Sequence, residues 1–334
     1  MREAISISPN RILVIKLRKL GDVLSTTPAL RQIRELYPEA EITFLTEPLG
    51  SKVYEHSSVV NHLLILSRKP SASEYIGMCF KIFRIRFDLV IDLYFHSKTA
   101  LFTLMSGSKY RFGFSKTGKP TWAYNYTAQL TEHDRTKVYC TNHQLKLIEP
   151  LGIDYTDNKV EFEVTDTIRT SAQRFAKDNK FSDKTVAFCV LSERSFAQVP
   201  TDLLKQIGNY LVKNGYKLYF IYGPNEKHLA LKVYELIDSK ESCIIDYGIP
   251  TVAEQRTIFE SCCMFIGNDG GNKHLATAAN IPTIGLFYGD NPLVWTPEDR
   301  DKHRFLQTMD NLNAFQDFKL LFSKWSFEKR IFNE

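Results

Sequence analysis

Three stretches of this chain set polar, titratable and glycine residues directly behind apolar runs. The first, RILVIKLRKLGDVLSTTP (residues 11–28), passes through Lys16, Arg18 and Lys19 into Gly21-Asp22. Pro28 then suits a first helical turn capped by Thr26 or Thr27, or the helix starts as early as Gly21. A carboxylate on such a strand-to-helix turn can work as a general base, kept ionised by the helix N-terminus and the nearby cations. It can also be a helix-capping acid, and the stretch alone leaves both readings open. The second stretch, FIGNDGGNKHLATAA (265–279), puts Gly270-Gly271 where backbone N–H groups can approach an anion at a helix N-terminus, with Lys273 and His274 as further donors. The alternative is a plain turn with Asp269 as cap and His274 packed on the helix. The third, LFYGDNPLVWTP (286–297), either contacts ligand hydroxyls or is a turn packed under Trp295.

For these residues to act together, strands must deliver them to one place. Apolar runs at 12–17, 41–45 and 87–93 read as buried strands, with helical segments at 29–37 and 143–147. After the turn-like 149–159 the rhythm restarts, with strands at 185–191, 217–222, 242–246, 262–266 and 283–287. This alternation predicts an α/β protein of two doubly wound domains, joined by a linker near 150–180, whose strand ends oppose one another across a binding crevice. No GxGxxG is present, so a simple dinucleotide fingerprint is not supported.

Composition narrows the partners. Lysine and arginine exceed acids by 43 − 38 = 5, too little for a nucleic-acid-binding stripe and better matched to anionic small ligands or a membrane surface. The six cysteines show no CxxC spacing, the N-terminus lacks the apolar core of a signal peptide, and no apolar run nears the roughly 20 residues of a membrane span. A cytoplasmic protein with reduced thiols is expected.

The first stretch, extended to RILVIKLRKLGDVLSTTPALRQIRELYPEAEITFL, and the segment MFIGNDGGNKHLATAANIPTIGLFYGDNPLVW together resemble glycosyltransferase family 9, the ADP-heptose:lipopolysaccharide heptosyltransferases. GSKYRFGF (107–114) is similar to the family's Arg-x-Gly-Phe segment. The resemblance covers most of the chain, with one motif per domain in the expected order. It implies a GT-B fold, two Rossmann-like domains facing a central cleft. Residues 1–160 would bind the acceptor and 161–312 the nucleotide-sugar, while 313–334 form a helix packing back on the first domain. It implies inverting, metal-independent transfer of a heptose from ADP-heptose to a lipopolysaccharide inner-core or related glycan acceptor, without a cofactor. Asp22 would be the base. Gly270, Gly271 and His274 would cradle the donor phosphates; Asp269, repelled by phosphate, would cap the helix or meet the sugar.

The sequence departs from the family where SERSFAQVP puts Ala197 at a usual lysine and Val199 at a usual tryptophan. Arg194 or Lys273 is expected to supply the missing charge, and Ser192, Asn225 and Glu226 to contact the nucleotide. For a phosphorylated acceptor the candidates are Lys19, His96, Lys98 and Arg111, beside Lys109, Lys116 and Lys119, although a solvated basic loop is an equal reading and His96 suits a local hydrogen bond. Phe315, Phe318, Phe322 and Trp325 stand at helical spacing, which fits either a membrane-surface helix or, as the resemblance implies, a packed one. Peripheral contact with the cytoplasmic face of the inner membrane is therefore an open expectation. Asp299-Arg300-Asp301 has DxD spacing but reads as a surface loop, and no metal is expected. A nucleotide-sugar epimerase or hydrolase on the same fold, or a non-catalytic or altered-donor nucleotide-sugar-binding protein, remain alternatives.

Overall fold

The computed structural model describes residues 5–115, 121–153 and 157–331, with side chains up to residue 325. Lys116 and Lys119 lie outside the described residues. The chain divides into two compact units, Met1–Glu163 and Val164–Glu334.

The first unit holds strands β1 (Arg11–Lys16), β2 (Glu41–Thr46), β3 (His62–Ile65), β4 (Leu89–Asp92), β5 (Tyr110–Ser115) and β6 (Tyr126–Gln129). They form one sheet in the order β3-β2-β1-β4-β5-β6, and every pairing is parallel. The inner strands are buried on both faces, which is why they read as unbroken apolar runs. The second unit repeats the arrangement with β7 (Thr185–Cys189), β8 (Lys217–Phe220), β9 (Cys243–Ile244), β10 (Met264–Asn268), β11 (Thr283–Phe287) and β12 (His303–Gln307), in the order β12-β11-β10-β7-β8-β9.

In both sheets the chain runs outward from its first strand and then returns to lay the fourth beside it. Connections leave these two strands in opposite directions, so their C-terminal ends border a crevice, the place where such sheets bind ligands. In the first unit the crevice lies between β1, ending at Lys16, and β4, ending at Asp92. In the second it lies between β7, ending at Cys189, and β10, ending at Asn268. The approach of β10 to β7 requires a glycine: Gly267 has φ +153°, and a Cβ there would lie 2.2 Å from the Cys189 carbonyl oxygen.

The helix Ala314–Ile331 corrects one expectation. Phe318, Phe322 and Trp325 belong to the core of the second unit, with Val186, Phe220 and Leu286, and Tyr210 meets Phe318 edge-on at 6.2 Å. Aromatic spacing identifies an apolar face, not the surface that receives it. The linker is held to the first unit: Arg31 pairs with Asp157 and Glu161 at 2.7 Å each, and Glu161 N–H donates to Thr27 Oγ1 at 3.0 Å.

Candidate active site

In the first unit, Asp22 follows β1 in the first turn of the helix Leu20–Leu24. The N-cap position is Lys19, and no side chain caps this helix, so Asp22 does not serve as a capping acid. Its carboxylate has no hydrogen-bond or ion-pair partner among the described residues; only its backbone carbonyl is engaged, accepting from Ser25 Oγ at 2.7 Å. The nearby positive charge is Lys16, whose buried Nζ donates to the Leu93 carbonyl at 2.9 Å. Burial pushes the Lys16 ammonium below its usual range, and the charges of Asp22, then Asp92, act against that shift. The result is a partly exposed carboxylate at the crevice, without a hydrogen-bond or ion-pair partner among the described residues.

Asp92, on the other side of this crevice, is fully buried and organises the loop after β4. It accepts from Tyr94 N at 2.9 Å, Phe95 N at 3.1 Å and Tyr124 Oη at 2.6 Å. Burial raises its pKa, opposed by these hydrogen bonds. The Arg-x-Gly-Phe segment explains how Tyr124 reaches it. A Cβ on Gly113 would stand 2.4 Å from the Tyr124 ring, so only glycine lets that ring lie over β5. Arg111 donates to the carbonyls of Ala123 and Ser108, fixing the segment that carries Tyr124. Arg111 is thus committed to the scaffold rather than turned toward a ligand. His96 is also engaged locally: its Nδ1 accepts from Lys98 N at 3.2 Å, and its ring stacks on Tyr94 at 5.4 Å, with Arg18 over the other ring at 4.9 Å. The Lys98 side chain is exposed, and Lys19 is half-buried.

In the second unit, the ends of β7, β10 and β11 bring four charged side chains together. Arg194 forms an ion pair with Asp290 at 2.6 Å and lies 3.6 Å from Asp269, while Lys273 pairs with Asp269 at 2.6 Å. Burial pushes the Asp269 carboxyl up, but Lys273, His274 and Arg194 outweigh it and hold the group below the usual carboxylate range. Lys273 is fully buried, donates to the Trp295 carbonyl at 2.7 Å and sits 4.4 Å from the Phe287 ring centroid. Its ammonium is already spent on this buried cluster, whereas Arg194, paired with Asp290, keeps 35% of its side chain exposed. Burial, reinforced by Lys273, pushes His274 down to about 3, so it is a neutral imidazole, held edge-on to Trp295 at 5.8 Å.

The helix Gly271–Ala278 starts at this cluster. Gly270 is extended, and beyond its chain neighbours no atom lies within 4 Å of where its Cβ would stand; the first N–H groups of a helix lack intrahelical partners and suit an anion. The loop after β7 is braced beside them. Asn268 Oδ1 accepts from Val199 N at 2.8 Å, and Gln198 Oε1 accepts from Ser192 N at 2.8 Å. Val199, at the family's tryptophan position, is fully buried, and Ala197 is buried too. After β8, Asn225 takes φ 64°, and Glu226 closes its own turn by accepting from Gly223 N at 2.8 Å.

Sequence reasoning passed over Asp92, Tyr124 and Asp290 as site residues, and took Lys16 only as a cation near Asp22. Asp290 did lie in the quoted third stretch, and its partner shows why that stretch matters. Asp299 Oδ1 accepts from Lys302 N at 3.2 Å in the turn before β12, and among the described residues no three His, Cys, Asp or Glu side chains are grouped to hold a metal ion. Among the described residues no helix is long and apolar enough to cross a membrane.

The family model of glycosyltransferase family 9 (heptosyltransferase) matches residues 80–321. The chain belongs to this family. This family 9 glycosyltransferase is 24% identical to lipopolysaccharide heptosyltransferase 3 of Escherichia coli K12, over 84% of its own length and 83% of the relative's. The solved family 9 glycosyl transferase from Veillonella parvula matches it with a TM-score of 0.79 and 22% identity, covering 95% of this chain and 92% of that one. The E. coli heptosyltransferase WaaC with ADP-2-deoxy-2-fluoro heptose matches with a TM-score of 0.72 and 16% identity, covering 94% and 99%. Two doubly wound units and these likenesses make the fold GT-B, as the motifs implied.

Proposed function

We propose that this glycosyltransferase moves a heptose from ADP-heptose to a hydroxyl of a lipopolysaccharide inner-core or related glycan acceptor, by single displacement with inversion. The observation that carries the reading is the partnerless carboxylate of Asp22 at the crevice of the first sheet. Acyl or phosphoryl transfer would ask for a nucleophile or a phosphate clamp there; glycosyl transfer to a hydroxyl asks for one base. Asp22 takes the hydroxyl proton as the acceptor oxygen bonds to the anomeric carbon. The bond from that carbon to the diphosphate oxygen breaks, and its electron pair leaves with ADP.

The leaving group needs its growing charge held, and the start of the helix Gly271–Ala278 supplies backbone N–H donors and the positive end of the helix dipole. Neutral His274 adds a donor without charge, and Arg194 adds charge. A donor of this class agrees with the ADP-sugar analogue bound by WaaC. In this reading these groups replace a divalent ion, no cofactor is needed, and Lys19 and Lys98 are the cations that meet acceptor phosphates. The reaction would take place at the cytoplasmic face of the inner membrane.

The test is transfer from ADP-heptose to a heptose-free core oligosaccharide, with the added mass and the anomeric configuration read by mass spectrometry and NMR. Transfer with inversion, unchanged by excess chelator, is expected. ADP release without acceptor, or complete loss in chelator restored by a divalent ion, would overturn the corresponding part.

A further inference from the structure

The helix Ala72–Ile85 has two apolar faces, and only one of them is buried. Met78, Cys79 and Ile82 enter the core of the first unit. On the outer side Ile76 is 53% exposed, Phe80 61% and Phe83 41%. Spaced i, i+4 and i+7, these three form one stripe along the helix. Packing of the unit does not require them, and a contiguous stripe of large apolar side chains marks a contact surface.

The charge around the stripe identifies what it contacts. Between residues 68 and 86 the chain carries five cations, Arg68, Lys69, Lys81, Arg84 and Arg86, against one acid, Glu74. All five cations are exposed, and none has a carboxylate partner among the described residues. Glu74 is turned to the chain, accepting from Ser67 N at 2.9 Å and Ser67 Oγ at 2.6 Å. Asp88, just beyond, accepts from Asn10 N and Arg11 N at 2.9 Å each. Arg86 lies over the Phe83 ring at 4.7 Å, so apolar and cationic groups share one surface. A second copy docking through the same stripe would set five unneutralised cations against five more. An anionic lipid surface satisfies both features, taking apolar side chains at the headgroup boundary and cations at the phosphates.

We propose that the helix Ala72–Ile85 docks this protein on anionic membrane, with Ile76, Phe80 and Phe83 entering the headgroup boundary and the surrounding cations on lipid phosphates. The aromatic helix near the C-terminus cannot do this with Phe318, Phe322 and Trp325, which are buried. The proposal stands apart from the transfer reaction, because its readout contains no sugar.

The experiment is co-sedimentation of the full chain with vesicles containing phosphatidylglycerol, beside vesicles of phosphatidylcholine alone. Wild type should sediment with the anionic vesicles only, and less so as salt is raised. Phe80→Ser/Phe83→Ser should abolish sedimentation, and Lys81→Glu/Arg84→Glu should lower the partition coefficient about fivefold or more for each cation removed. Both variants should keep the wild-type thermal midpoint, since all four side chains are exposed. Wild type that ignores anionic vesicles, equal binding to both vesicle types, or folded variants that still sediment would overturn the proposal. So would lipid-free dimerisation that Phe80→Ser/Phe83→Ser abolishes, which would assign the stripe to a second copy.

Discussion

The guanidinium of Arg194 forks onto the carboxylate of Asp290, with Nη1 3.0 Å from Oδ1 and Nη2 2.6 Å from Oδ2. Asp269 lies 3.6 Å from the same Nη2, so one arginine joins the loops that follow three strands. A charge-assisted contact from such an arginine to a diphosphate contributes roughly 1.5–3 kcal/mol. Arg194→Ala should therefore weaken ADP binding about tenfold or more, read by calorimetry on the folded variant. Unchanged affinity would remove Arg194 from the donor site.

Lys273 and Asp269 form a buried pair, and breaking such a pair leaves an uncompensated charge. Lys273→Met should cost about 3–5 kcal/mol in denaturant unfolding, whereas Lys273→Met combined with Asp269→Asn should recover much of it. Because the folded Asp269 carboxyl is held below its usual range, the stability it contributes is present above that range and lost as pH falls through the folded value. A double variant as unstable as the single one would contradict this.

Two buried histidines set a second pH window. Burial, with help from Lys273, pushes His274 down to about 3; burial, then Lys302, pushes His303 down to about 4. The unfolded chain takes up these protons near pH ~6.5 while the folded one does not, so stability is full above that pH and falls as pH drops toward the folded values. The slope should be about 1.4 kcal/mol per pH unit for each histidine. His303→Gln should flatten denaturation midpoints between pH ~6 and ~4.5; an equally steep fall in that variant would count against the account.

Tyr124 ties the loop after β4 to buried Asp92. Tyr124→Phe removes one hydrogen bond from that carboxylate and should destabilise by about 1–3 kcal/mol. Gly113→Ala should cost more, because its methyl must displace the Tyr124 ring. Thermal unfolding measures both, and a neutral Gly113→Ala would show that the ring can move aside.

Much of this architecture could be read from the chain because its central strands are buried on both faces. β1, β2, β4, β7, β10 and β11 announce themselves as apolar runs, while β3, β6 and β12 are short sheet edges of mixed composition, and β5 is interrupted by Gly113. The Asp22 and Gly270-Gly271 turns were legible because each is a local strand-to-helix transition. The Arg194–Asp290 pair was not, since 96 residues separate its members and only the sheet order joins them. Lys273 misled for the same reason: its sequence position points to the helix start, whereas Phe287 and the Trp295 carbonyl, from later segments, enclose its ammonium.

The central claim is that Asp22 is the base. Single-turnover transfer from ADP-heptose to a heptose-free core acceptor, compared between wild type and Asp22→Asn, tests it with ADP affinity measured alongside. The expected result is a rate lowered about 10²–10⁴-fold with ADP affinity unchanged. Transfer by Asp22→Asn within a few-fold of wild type would contradict the claim.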